Sequence, residues 1–83
     1  MTDQVCVVVG GGKGMGAAIA REMKKRNYRL SLMSPSDSCE NLADELGGIA
    51  YRGRAENSID TDNLLKLTME KFGRIDSLLI HVG

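Results

Sequence analysis

The chain has 83 residues, enough for one small domain and too few for two. Eleven Lys and Arg balance eleven Asp and Glu, so no basic excess exists to draw in nucleic acid or an anionic membrane. A hydrophobic share of 42% excludes a disordered chain, and two cysteines with one histidine support neither a disulfide framework nor a zinc centre.

Residues Val5–Val9 read Val-Cys-Val-Val-Val, a continuous apolar run. That pattern suits a strand covered on both faces, as in a parallel sheet. A glycine cluster over 10–16 follows, and then a helix over Ala17–Arg26 that Asn27 can end. Met15, Ile19 and Met23 recur every four residues and predict its apolar stripe. Arg29–Met33 reads as a second strand, broken by Ser34-Pro35-Ser36. Asp37 with Glu40 three residues on predicts a capping box. Cys39, Leu42, Ala43 and Leu46 then form the buried face of a second helix that Gly47-Gly48 stops. Ile49–Arg52 is a third strand, and Ser58 is placed as the N-cap of a third helix running to Lys71. Its inner face is read as Leu64, Leu65, Thr68, Met69 and Phe72, with Gly73 as its stop. Ser77–Ile80 is the fourth strand. Both cysteines, Cys6 and Cys39, read as buried or half-buried thiols.

Strands alternating with helices through short links predict an α/β fold. The expectation is one α/β unit over residues 1–83, its four strands parallel and joined by right-handed crossovers. No charged-then-apolar leader is visible, and the longest apolar run is far short of the roughly twenty residues a membrane helix needs. A cytoplasmic location is therefore expected, with no membrane or nucleic-acid partner.

The informative segment is Val9-Gly10-Gly11-Gly12-Lys13-Gly14-Met15-Gly16, between a buried strand and a helix. Such a turn suits phosphate binding. Gly10 permits the sharp bend, Gly14 lets backbone approach a pyrophosphate, and Gly16 lets helix pack on strand. The N–H groups of the first helical turn then face an anion. A G-x-G-x-x-G spacing fails at Met15. A Walker A spacing fails because Gly14 follows Lys13, and Val7 stands where its first Gly would be. What fits is Gly-x-x-x-Gly-x-Gly at Gly10, Gly14 and Gly16.

That spacing resembles the first turn of the short-chain dehydrogenase/reductase family, with Val9 at the family's Thr. Phe72-Gly73-Arg74-Ile75-Asp76-Ser77-Leu78-Leu79 resembles the family's approach to its Asn-Asn-Ala-Gly motif, which falls on Ile80-His81-Val82-Gly83 with only the glycine kept. The resemblance spans the whole chain and implies a Rossmann-like, three-layer α/β/α fold with four parallel strands in the order 3-2-1-4, from an NAD(P)(H)-dependent oxidoreductase. It places Gly10, Gly12, Lys13, Gly14, Met15, Gly16, Ser34, Arg54, Val82 and Gly83 around the cofactor. Lys13 precedes the second turn glycine, where the family's NADP binders carry a basic residue. The second strand ends in Met33-Ser34-Pro35, with no carboxylate for the ribose 2′-OH. NADP is therefore expected over NAD. The family's adenine-contacting Asp falls at Arg54.

The family's catalytic Tyr-x-x-x-Lys pair has no match here: Leu32 stands four after Tyr28, and Ala55 four after Tyr51. The expectation is a truncated Rossmann unit, the cofactor-binding part of such an oxidoreductase, without catalytic residues of its own. The alternatives are a non-catalytic dinucleotide-binding module and an inert structural fragment. His81 is read as structural. A fourth strand at the sheet edge would bare Leu78, Leu79 and Ile80, so a homo-oligomer through that edge is expected.

Overall fold

The computed structural model describes residues 4–10 and 14–80. The elements in chain order are β1 (Val5–Val9), α1 (Gly14–Lys25), β2 (Arg29–Ser34), α2 (Ser38–Leu46), β3 (Ile49–Arg52), α3 (Ser58–Phe72) and β4 (Ser77–Ile80). The four strands form one sheet in the order β3-β2-β1-β4, and every neighbouring pair is parallel. Both the alternation and the strand order agree with the expectation from sequence.

The apolar run of β1 is explained by its two covered faces. Cys6 and Val8 join Leu30 and Leu32 of β2 under α1 and α2, with Ala17, Ala20, Cys39, Leu42, Ala43 and Leu46. Val7 and Val9 join Met33 on the opposite face, under Leu64 of α3. All five residues of β1 are buried. Both cysteines are buried free thiols, and burial pushes the Cys6 thiol above its ordinary pKa.

Serine 31 lies on the α3 face of β2, opposite an otherwise apolar layer. Its hydroxyl bonds the buried Thr68 hydroxyl at 2.6 Å, and Thr68 in turn donates to the Leu64 carbonyl at 2.7 Å. Thr68 has one proton, so Ser31 is the donor of the pair. This asymmetry gives a prediction. Thr68→Val should cost about 2 kcal/mol, because it strands the buried Ser31 donor, whereas Ser31→Ala should cost about 1 kcal/mol or less. Urea unfolding of the two variants measures the difference, and equal losses would refute the assignment.

Several local expectations are corrected. The buried face of α1 is Gly16, Ala17 and Ala20, not the Met15–Ile19–Met23 stripe. Small residues let the helix approach the sheet, so the longer side chains are displaced to its flanks. Met23 is half-buried and Met15 is exposed. The helix also begins at Gly14, three residues before the predicted Ala17. Asp37 makes no side-chain cap, so the predicted capping box does not form. Ser34 Oγ takes that role, accepting the Cys39 N–H at 3.1 Å, while Glu40 pairs with Arg52 across to β3. Asn57 rather than Ser58 caps α3, its Oδ1 accepting the Ile59 N–H at 3.0 Å. Met69 is exposed because the inner face of α3 narrows to Leu64 and Thr68.

Asp76 ties the central strand β1 to the edge strand β4 at their start. Its carboxylate accepts the Val5 N–H at 2.7 Å, and its own N–H donates to the Val5 carbonyl at 2.9 Å. Arg74 Nε donates to the same carboxylate at 2.9 Å. The Arg74 guanidinium and then the Val5 amide hold the Asp76 carboxyl below its ordinary range.

Candidate functional site

The carboxyl ends of β1, β2 and β3 are laced together by backbone hydrogen bonds. Gly10 N–H donates to the Met33 carbonyl at 2.6 Å, and Gly53 N–H donates to the Ser34 carbonyl at 2.9 Å. These bonds gather the turn after β1, the Ser34 turn after β2 and the Arg54 loop after β3 along one edge of the sheet. In open parallel sheets that edge is where ligands bind.

The turn after β1 leaves the strand at Gly10 with φ of 86° and enters the helix at Gly14 with φ of 56°. Both angles lie in the left-handed region, where a side chain strains the backbone. A Cβ built on Gly14 meets nothing within 4 Å, so the space beside it is open. Gly16 is buried in the first turn of α1, and Met15 between them is exposed. The electrostatics distinguish this helix start from the others. The first turn of α2 carries Glu40 and that of α3 carries Asp60, but the first turn of α1 has no acidic residue. Its orphan N–H groups and positive dipole end therefore lack the compensating charge that a carboxylate supplies in the other two helices. An anion brought from outside fits that end.

At the end of β2 the Ser34 hydroxyl donates to the Ser36 carbonyl at 2.8 Å and accepts from Cys39 N–H. Ser36 Oγ and Ser38 Oγ lie 2.9 Å apart in the same turn. Ser34 is buried, so the hydroxyls nearer the surface are those of Ser36 and Ser38. Arg54 is exposed, with its guanidinium 3.5 Å from Glu56 and its N–H donated to Asp60 at 3.0 Å.

Of the residues expected at the cofactor, Gly10, Gly14, Met15 and Gly16 form the turn itself, and Ser34 and Arg54 lie on the same sheet edge. Gly12, Lys13, Val82 and Gly83 lie outside the described residues. Sequence reasoning missed the Ser36–Ser38 pair, the hold of Asp60 on the Arg54 backbone, and the Asp76 clamp beneath the site. The Arg74-x-Asp76 spacing was the only sequence signal for the last. Among the described residues no helix is long and apolar enough to cross a membrane.

The short chain dehydrogenase family pattern matches residues 4–83. The chain is 32% identical over 84 residues to 1,6-dihydroxycyclohexa-2,4-diene-1-carboxylate dehydrogenase of Pseudomonas putida, covering 96% of this chain and 31% of that protein. A second relative, the bovine (Bos taurus) 3-oxoacyl-[acyl-carrier-protein] reductase, is 32% identical over 98% of this chain and 35% of its own length. The chain thus spans about a third of the length of the curated relatives it matches. Its fold is that of the 3-ketoacyl-(acyl-carrier-protein) reductase of Brucella melitensis, solved with NADH, at a TM-score of 0.86 and 22% identity over 93% of this chain and 33% of that one.

Proposed function

We propose, from the premise that the chain belongs to the short-chain dehydrogenase family, that it is the dinucleotide-binding part of an oxidoreductase and takes NADP(H) in preference to NAD(H). The observation that carries this reading is the start of α1: two left-handed glycines, open space at Gly14, and a helix end with no acid of its own. Gly10 would shape the turn, and Gly14, Met15 and Gly16 would present backbone N–H groups to the pyrophosphate. When bound, the dinucleotide supplies the hydride. The chain's own residues orient it and neutralise its charge, and none of them is assigned a proton transfer. Lys13 in the turn sequence and the absence of a carboxylate at Ser34 favour a 2′-phosphate over a free 2′-OH. Arg54 adds positive charge on the adenosine side.

A titration of NADPH fluorescence against the 83-residue chain tests this. Binding should weaken by at least about tenfold in Gly14→Asp, which sets a carboxylate and a strained φ where the anion must sit. NADH should bind about tenfold more weakly than NADPH. An unaltered affinity in Gly14→Asp would refute the site, and tighter binding of NADH would refute the cofactor preference.

We also assign a self-association surface to the β4 edge. Leu78 and Ile80 pair in register with Val7 and Val9, so they lie on the α3 side of the sheet, and they are 45% and 58% exposed. A bare apolar edge strand invites pairing with another copy. Sedimentation velocity should show a dimer at micromolar concentration, weakened by Leu78→Lys. A monomer at all concentrations would refute the surface.

A further inference from the structure

The first turn of α1 reads Gly14-Met15-Gly16-Ala17-Ala18, so Met15 is the only side chain there larger than a methyl group. It is also an anomaly of packing. The other three methionines among the described residues are the buried Met33, the half-buried Met23 and the 49% exposed Met69, whereas Met15 is 65% exposed. Glycine on either side offers its thioether no cover. The most exposed of these methionines therefore stands at the helix end that lacks an acid and faces the proposed anion site.

The geometry points to Met15 as an oxidation-sensitive modification site that lowers dinucleotide affinity when it is converted to the sulfoxide. This inference rests on the turn being the cofactor's phosphate site. The oxidant is a peroxide. The sulfur lone pair attacks one peroxide oxygen, an S–O bond forms and the O–O bond breaks. Sulfur gives up two electrons, and the leaving hydroxide takes the proton from the new S–OH to depart as water. The product replaces an apolar thioether with a strong hydrogen-bond acceptor carrying partial negative charge. That oxygen sits on the residue whose neighbouring N–H groups must serve the phosphate, so it competes for the same donors and opposes the anion. A bound dinucleotide, conversely, covers Met15 and shields it. The exposed Met69 lies on α3, outside this turn, and serves as an internal control.

The test treats the 83-residue chain, Met15→Leu and Met69→Leu with hydrogen peroxide. It follows each methionine by peptide mass and NADPH affinity by fluorescence before and after. Conversion of Met15 should weaken NADPH binding by about tenfold in the unmodified sequence and in Met69→Leu. Met15→Leu should keep its own starting affinity. Saturating NADPH should slow oxidation at Met15 several-fold and leave Met69 unaffected. Full conversion of Met15 with unchanged affinity would overturn the inference, as would equal loss in Met15→Leu. If the untreated chain binds no NADPH, the phosphate-site reading fails first and the modification site falls with it, so the untreated titration separates the two failures.

Discussion

Gly48→Ala is expected to destabilise the chain by roughly 3 kcal/mol, a large share of the about 4–12 kcal/mol that a domain of this length commands. A Cβ at residue 48 would stand 2.5 Å from the Leu30 carbonyl oxygen and 3.2 Å from its carbon. These are backbone atoms of a central strand, so no side-chain rotation relieves the overlap. β2 and β3 must instead move apart next to the pairing of Ser31 with Ile49, and Leu30 must shift within the α1/α2 core. The neighbouring glycine supplies the control. Gly47 has φ of 74° and open space where its Cβ would lie, so Gly47→Ala meets only the left-handed penalty of about 1 kcal/mol. Urea midpoints should rank native above Gly47→Ala above Gly48→Ala. Equal losses at the two positions would show that the close approach is relieved cheaply.

Asp76→Ala should produce the second large loss, with Tm falling by roughly 5 °C. The substitution removes the acceptor of the Val5 N–H and the partner of Arg74 together. Val5 is fully buried at the start of the central strand, so the register of β4 on β1 loses its side-chain tether at the point where the pairing begins. The pH dependence has a definite sign. Arg74 first, and the Val5 amide second, lower the Asp76 carboxyl in the folded chain. A carboxyl lowered on folding contributes its full stability above its unfolded pKa of about 4, and loses that contribution as pH falls through the folded value. The unfolding midpoints of the native chain and Asp76→Asn should therefore differ most at neutral pH and converge below about pH 4. A gap that stays constant from pH 7 to pH 2 would show that the charge of Asp76 does not carry this stability.

Much of the fold was legible because its strongest signals are local. The uninterrupted Val5–Val9 run specified a strand covered twice, and the structure covers it twice. Gly73 announced the end of α3 and adopts the left-handed cap conformation. The misreadings came from signals that only tertiary contact resolves. Periodicity could not tell that Gly16, Ala17 and Ala20 pack inward while Met15 faces out, because the inward face was selected for smallness rather than hydrophobicity. Gly47 and Gly48 looked like one helix stop, yet only Gly47 serves the backbone conformation, while Gly48 serves its neighbour in β2. At the candidate site, the link to a cofactor came from the family resemblance, while the bend at Gly10 and the inward packing of Gly16 were readable from residue type. The lacing of Gly10 to Met33 and of Gly53 to Ser34 was not, because it joins turns separated along the chain by whole helices.

The Asp76 clamp also orders events in time. It joins residues 71 apart, whereas β1 and β2 pair Val5 with Arg29 across a single helical excursion. Chain closure grows costlier with separation, and parallel pairing cannot begin until its crossover exists. As the chain leaves the ribosome, β1 can find β2 early and must wait for its other flank until nearly the whole sequence shown here has been made. Throughout that interval the strand that carries the glycine turn is itself an unsheltered margin of a growing sheet, and chaperone dependence would concentrate there.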